Sequence, residues 1–504
     1  MVTETSIIPA ITFLLPIVAG VPVLLWKGID RRLQQSLPIL AAALITAMGA
    51  WMAYKVVGGV VLTTWNNELR VDALSALMVV VIGAIALAAS VYSVRYLRLE
   101  GLIQRVGEDA AARRIRIFYG LLLWFFGTMV WGCVTNNVVM LYVAIEATTL
   151  TSGLLVAFYW DRRALEAGYK YLMLLTIGIT FALFGCVLIY AAAAATKHLN
   201  GGNALLISEV RTVVQWIPSG TAALAIAFLV IGFGTKAGIA PFHPWLPDAH
   251  AEAPTPVSAL LSGVMIKMAL YAMARTVSIF YPSWPVVSVF LVALGVFTMV
   301  LGIVMAMAQD DLKRLLAYSS VSQMGYVLAG VGLGTYVGCY GGLYHLLNHA
   351  LYKSMLFLCV GAVIHSTGAR RISELGGLRN RMPITSGCFL LGVLAIAGLP
   401  PLNGFWSKLT IYLALAKAGL WWAAIIAVVV GFLTMAVMVR AGMRVFWGKP
   451  RASANPEPAV REVPALMWVP MVTLGALCLL LGVCPQVAYP LLDRAAAALA
   501  TLGA

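Results

Sequence analysis

Five charged residues stand inside stretches that are otherwise apolar. Glu146 lies in NNVVMLYVAIEATTLTSGLL, Lys236 in LVIGFGTKAGIAPFHPW, Lys267 in SALLSGVMIKMALYAMAR, Lys353 in YHLLNHALYKSMLF and Lys408 in GLPPLNGFWSKLTIY. Lys353 shares its stretch with His345 and His349, and the i, i+4, i+8 spacing of the three stacks them on one helix face. A lysine or histidine taken out of water titrates nearer neutrality because its charged form loses solvation. A carboxylate beside it can hold or release that charge by forming or breaking an ion pair. Such groups bind and release protons as their surroundings change, so the set reads as a proton relay. The competing readings are a structural ion pair, a helix-end lysine that snorkels, or a histidine satisfied within a core. Arg275 and Arg440 stand nearer helix ends, where structural roles are favoured.

The chemistry depends on what surrounds these residues. The chain has 504 residues, 62% of them hydrophobic and 11% charged, with a mean hydropathy of +0.93. That composition excludes a soluble multidomain protein and makes the bilayer the solvent. A charge at the centre of a membrane helix costs about 2.5–3.5 kcal/mol on insertion scales, so each of the five needs a partner, water or a task. Spanning segments require about 20 apolar residues, and these recur often enough for about 14 helices. They fall near 7–26, 37–54, 73–96, 117–135, 137–160, 169–195, 222–241, 254–281, 284–308, 316–335, 337–366, 384–416, 421–446 and 466–491. Nothing is left over for a large soluble domain. The N-terminal residues carry Glu4 and no basic run, so the first helix is expected to be retained rather than cleaved as a signal peptide.

The net charge of +15 follows topology rather than a nucleic-acid partner. If the helices alternate, most basic residues, among them Arg31, Arg113, Arg162, Arg314, Arg370 and Arg444, share one side of the membrane. Only Lys55, Arg70, Lys197, Arg211, Lys417 and Arg494 fall on the other. The positive-inside rule makes the crowded side cytoplasmic and places both termini outside. The seven cysteines are scattered through apolar segments without C-x-x-C spacing and read as small core residues.

Two segments interrupt their helices in a related way. Residues 237–248 read AGIAPFHPWLPD and 397–408 read AGLPPLNGFWSK, which align without gaps at Ala, Gly, a branched residue, Pro241 with Pro401, and an aromatic. Proline removes a backbone donor, so Pro241, Pro400 and Pro401 mark helix breaks that open the hydrogen-bond ladder to side chains or ions. The first break leads into PFHPWLPDAHAEAPTP, where His243, Asp248 and His250 are candidates for a cytoplasmic inlet. Their spacing, with Glu252, matches no common zinc pattern, so no metal is expected. Of the extramembrane pieces, 56–72 is expected to form a hairpin, 98–116 a basic connector and 449–463 a Pro/Ala loop. No nucleotide-binding loop, haem attachment sequence or nucleophile elbow is present, so no cofactor is expected on this chain.

Four motifs together resemble a known family. FGTKAGIAPFHPWLPDAHAEAPTPVSALLSGVMIKMALYAMAR, QDDLKRLLAYSSVSQMGYVLAGVG, NHALYKSMLFLCVGAVIHSTG and GLPPLNGFWSKL resemble the antiporter-like membrane subunits of respiratory complex I, of membrane-bound [NiFe] hydrogenases of the formate hydrogenlyase and hydrogenase-4 type, and of Mrp Na⁺/H⁺ antiporters. The resemblance runs from about residue 70 to 450. It implies an all-α membrane fold of fourteen helices with two inverted five-helix repeats and broken seventh and twelfth helices. The division would be 1–116 (first three helices and connector), 117–281 (first repeat), 282–446 (second repeat) and 447–504 (loop and last helix). By position, Glu146 resembles the family's fifth-helix glutamate, Lys236 its seventh-helix lysine, and Lys267 its eighth-helix bridging lysine. His345, His349 and Lys353 resemble the eleventh-helix relay, and Lys408 the twelfth-helix lysine, where some members carry glutamate. The chain ends soon after its last helix, so the long lateral helix of the largest complex I antiporter-like subunit is not expected. The implied function is proton translocation within a multisubunit redox-driven complex of the bacterial inner membrane, alongside other membrane subunits and a peripheral redox arm. A subunit of an Mrp-type Na⁺/H⁺ antiporter and an energising subunit of an inorganic carbon uptake complex are the alternatives.

Overall fold

A computed structural model of the chain describes residues 2–97, 103, 106–199, 201–282, 284–449 and 460–500. Much of the basic connector around Arg98 and Arg105, and the Pro/Ala loop at 450–459, lie outside the described residues. In chain order the helices are α1 (Ile8–Leu25), α2 (Arg31–Val57), α3 (Ala73–Tyr96), α4 (Glu108–Val134), α5 (Val138–Val156), α6 (Arg162–Ala195) and α7 (Ser219–Ala237). The short α8 (Trp245–Glu252) is followed by α9 (Thr255–Phe280), α10 (Pro285–Met307), α11 (Leu312–Gly332) and α12 (Tyr336–Thr367). Then come α13 (Pro383–Ala397), α14 (Asn403–Lys417), α15 (Trp421–Trp447), α16 (Ala465–Val483) and α17 (Tyr489–Leu499).

Among the described residues, 12 helices are long and apolar enough to cross a membrane. Two of the fourteen expected segments are not among them. The segment expected at 316–335 is α11, which is long enough but carries Lys313, Arg314, Ser319, Ser320, Ser322 and Gln323. The segment expected at 384–416 is split into α13 and α14, each of 15 residues. Several helices also start earlier than apolarity suggests, α4 at Glu108 rather than 117 and α6 at Arg162 rather than 169. Their first turns are charged, and hydropathy sees only the part that lies in lipid. Side-chain caps fix some of these starts: Asp161 accepts from Ala164 N, and Asn137 from Val139 N and Met140 N.

The expected hairpin is present as β2 (Val60–Thr64) and β3 (Leu69–Val71), turning through Trp65, Asn66 and Asn67 at positive φ. A strand that hydropathy does not reveal, β1 (Val2–Thr5), pairs parallel to β2 and makes a three-stranded sheet. This sheet and α17 lie at the same end of the bundle, for Arg211 donates to Ala498 O and also lines a cavity with Val61.

Burial orders the helices. The spanning window of α9 is 100% buried and that of α12 is 89% buried, whereas α6 is only 39% buried. The centre of the bundle is therefore built from the two helices that carry Lys267 and His345, His349 and Lys353. α12 packs on α9, α11, α13, α14, α16 and α17. Close approach of α10 and α11 uses Gly295, Gly302 and Gly325, where an added Cβ would meet backbone atoms of the facing helix within 3 Å.

Candidate functional site

The two breaks share one hydrogen-bond scheme. α7 ends at Ala237, Gly238 takes φ +71°, Ile239 N donates to Gly234 O at 2.9 Å and Phe242 N to Ile239 O at 2.8 Å. α13 ends at Ala397, Gly398 takes φ +82°, Leu399 N donates to Leu394 O at 3.2 Å and Leu402 N to Leu399 O at 3.0 Å. A left-handed residue is what glycine permits and a Cβ resists. The bonds Ala240–Pro241 and Pro400–Pro401 are both cis. Sequence alignment of the two segments thus corresponds to a geometric repeat of the break itself.

The lysines serve the breaks differently. At the first, the carbonyl of Thr235, which also takes Gly238 N at 3.2 Å, accepts from the indole Nε1 of Trp245 at 2.8 Å. At the second, Lys408 itself caps the helix, its Nζ donating to Ile396 O at 2.7 Å and Ala397 O at 3.4 Å. An ammonium at a helix C-terminus meets the negative end of the helix dipole. Lys408 also lies 5.1 Å from the ring centroid of Tyr326.

Lys236, one residue from the end of α7, is fully buried, with Nζ donating to Ile145 O at 3.1 Å and Thr149 Oγ1 at 2.6 Å. Glu146 occupies the adjoining turn of α5 but faces outward, where Thr176 Oγ1 donates to its Oε1 at 3.2 Å. Its other oxygen, Oε2, is buried without a partner. The two charges are within Coulombic reach yet form no ion pair, each being held by neutral groups. The pair is open, with Lys236 resting on Ile145 and Thr149 and Glu146 on Thr176.

Hydroxyls extend the path inward. Ser152, one turn beyond Thr149, shares a 2.5 Å hydrogen bond with Tyr171 OH, which donates in turn to Met265 Sδ at 3.1 Å. Met265 closes a π-helical turn in α9, Leu261–Met265. Within this turn the Ser262 carbonyl accepts from Lys267 Nζ, while Ser262 Oγ meets Ser320 Oγ of α11 at 2.8 Å. Lys353 Nζ donates to Ser319 Oγ at 2.5 Å. His345 joins Gln323 Oε1 and Ser407 Oγ, each at 3.0 Å, and Ser407 precedes Lys408. His349 follows on the same helix, its ring 6.3 Å from that of His345, with neither nitrogen hydrogen-bonded to a described residue. Buried nitrogens of this kind need a polar partner, and water is the one available at such depth.

Lys236, Lys267, His345, His349, Lys353 and Lys408 are thus all buried within α7, α9, α12 and α14, with Glu146 on α5 next to Ile145, whose carbonyl holds Lys236. The inlet candidates are separated. Asp248 faces a charged cavity of about 520 Å³, where Arg314 Nη2 is 2.8 Å from its Oδ1 and Lys170 Nζ 3.7 Å from its Oδ2. His243 is 8% exposed against Tyr318, and His250 is fully buried with its ring 4.6 Å from Phe357. Sequence reasoning missed the neutral members: Thr149, Ser152, Ser262, Ser319, Ser320, Gln323 and Ser407. It missed Lys313 too, which donates to Ala253 O at 2.7 Å, and the reciprocal Asn348–Asn403 bonds that tie α12 to α14. Their only signal is polar residues inside apolar helices. Arg275 is ion-paired with Asp72, and Arg440 donates to Met307 O at 2.8 Å, so both have structural partners.

Apolar helices, two matching breaks and a buried set of ionisable groups define a multi-span membrane protein that keeps charge in its interior. The chain belongs to the NADH:quinone oxidoreductase/Mrp antiporter transmembrane family, whose description matches residues 135–434. It is 35% identical over 431 residues to NADH-quinone oxidoreductase subunit N of Desulforudis audaxviator, covering 83% of this chain and 82% of that one. It is also 35% identical over 441 residues to hydrogenase-4 component B of Escherichia coli, covering 82% of this chain but 62% of that longer one. A chain in the solved structure of the membrane-bound sulfane sulfur reductase, an archaeal respiratory membrane complex, superposes with a TM-score of 0.87 at 26% identity over 98% of both chains.

Proposed function

We propose that this chain is a proton-translocating membrane subunit of a multisubunit redox-driven complex, of the NADH:quinone oxidoreductase or membrane-bound hydrogenase type. The observation that carries the reading is the open Glu146–Lys236 pair beside the first helix break, at the head of a polar track that ends on Lys408 at the second. Closing that pair would turn Lys236 from Thr149 to the Glu146 carboxylate along the same helix, and opening it would return Lys236 to Thr149. Lys267, Lys353, His349 and His345 would then pass the change in charge to Lys408 through the hydroxyls between them. No redox chemistry resides on this chain, so the driving energy comes from partner membrane subunits and a peripheral redox arm. The two breaks belong, in this reading, to inverted five-helix repeats over 117–281 and 282–446. The chain would sit in the bacterial inner membrane with both termini outside, the orientation supported by the uneven spread of basic residues.

The second reading, a subunit of an Mrp-type Na⁺/H⁺ antiporter, fits the family description equally, since it covers both classes. Purifying the native complex and reconstituting it in liposomes separates the two. Electron-driven proton movement in sodium-free buffer is the expected result. Proton flux driven by a sodium gradient with no electron donor present would select the antiporter instead.

A further inference from the structure

The end of the bundle that carries β1 and α17 is poor in basic residues by loop count, yet Arg70, Arg211 and Arg494, half of those assigned there, meet Arg275 around one cavity of about 350 Å³. Its walls come from the β2–β3 hairpin, the start of α3, the short helix Ile207–Val213, the end of α9, and α17. The lining contains four guanidiniums and one carboxylate, Asp72. That carboxylate is fully engaged: both its oxygens take Arg275, and Oδ1 also caps α3 by accepting from Ser75 N at 3.0 Å.

The other three guanidiniums form no ion pair with a described residue, and Asp72, already paired with Arg275, is the one carboxylate that acts on Arg70 and Arg211. Arg211 donates to Ala498 O at 3.0 Å and Arg70 reaches Asn67 Oδ1 at 3.5 Å, while Arg494 has no hydrogen bond to a described residue. Burial and the Arg275 guanidinium push the Arg211 guanidinium below its ordinary value, and Asp72 offsets this only in part. Like charges gathered without compensation destabilise the fold that gathers them, so the cavity is short of an anion. Guanidinium forks suit tetrahedral oxyanions, which they bind in pairs. The Ser208 and Ser278 side chains add hydroxyls to the wall, and Val61, Ile279 and Leu499 line the remainder with apolar surface.

We propose that this cavity binds a phosphate-type oxyanion through Arg70, Arg211 and Arg494, supplied as the headgroup of an anionic phospholipid or as free phosphate. The site is distinct from the polar track, and its occupant neutralises the guanidiniums that hold the hairpin, the short helix and α17 together. It does not depend on which ion the track carries.

The test places the full-length chain in nanodiscs of phosphatidylcholine alone, of phosphatidylcholine with phosphatidylglycerol, and of phosphatidylcholine with inorganic phosphate in a buffer of matched ionic strength. The apparent unfolding midpoint is expected to rise by about 2 °C or more with at least one anion. The rise should shrink in R494Q and vanish in R70Q/R211Q/R494Q. A rise with phosphatidylglycerol only assigns the lipid source, and a rise with inorganic phosphate as well assigns a site open to the free ion. No rise in the wild type, or an equal rise in the wild type and both variants, overturns the proposal. R494Q removes a guanidinium with no described hydrogen bond, so it remains informative if the triple variant does not fold.

Discussion

Replacing Lys236 with Ala in the assembled complex is expected to lower electron-driven proton movement at least about tenfold, equivalent to about 1.4 kcal/mol on the limiting barrier. The side chain is fully buried and donates to Ile145 O and Thr149 Oγ1, close to Glu146 but unpaired with it. In the proposed mechanism its removal takes away the group that carries the proton. Lys236→Arg is the sharper variant, because arginine keeps the charge but does not release a proton at any working pH. If Lys236 were only structural, the arginine variant would restore flux. The account expects it to remain as impaired as Lys236→Ala, measured as initial proton movement in liposomes at matched protein content.

The largest effect on stability is expected at Asp72. Asp72→Ala leaves the Arg275 guanidinium, 18% exposed, with hydroxyls but no anion, and removes the cap of α3. Breaking a buried ion pair from one side costs about 3–5 kcal/mol, read as a lowered midpoint of urea unfolding in detergent. The same pair predicts a pH dependence. Burial raises the Asp72 carboxyl, but Arg275 outweighs it, together with Ser75 N and Arg70, and holds the group at about 2. Its unfolded value is about 3.9. Because the folded value is the lower one, the contribution is complete above pH about 4 and is lost as pH falls towards about 2. The acid limb of the stability curve should therefore flatten over that window in Asp72→Ala.

Much of this molecule was readable from residue types because lipid is an unforgiving solvent. Apolar length located the spans, and a charge inside such a span stands out, which is why the lysines, the histidine stripe and Glu146 could be named in advance. The paired breaks were readable because only glycine and proline perform them, at Gly238 with Pro241 and at Gly398 with Pro401. The connecting groups were not. Thr149, Ser319 and Ser407 look ordinary in a membrane helix, since a short hydroxyl side chain can bond back to its own helix as readily as to a neighbour. Ser319 does so, donating to Leu316 O at 2.9 Å while it accepts from Lys353. The π-turn at Leu261–Met265 has no compositional mark, although it decides where Lys267 finds its carbonyl. Neither could the sequence separate His243, Asp248 and His250, because eight residues of connector fold back into a helix that turns Asp248 to a charged cavity and buries His250.

In the proposed mechanism protons cross on this chain's own buried groups, and Lys267 is the residue whose replacement decides it. It is fully buried on the most enclosed helix. The measurement is the number of protons moved per electron by the purified complex in liposomes, with wild-type chain and with Lys267→Arg. The ratio is expected to fall in the variant while all partner subunits remain assembled. An unchanged ratio in an intact complex carrying Lys267→Arg would contradict it.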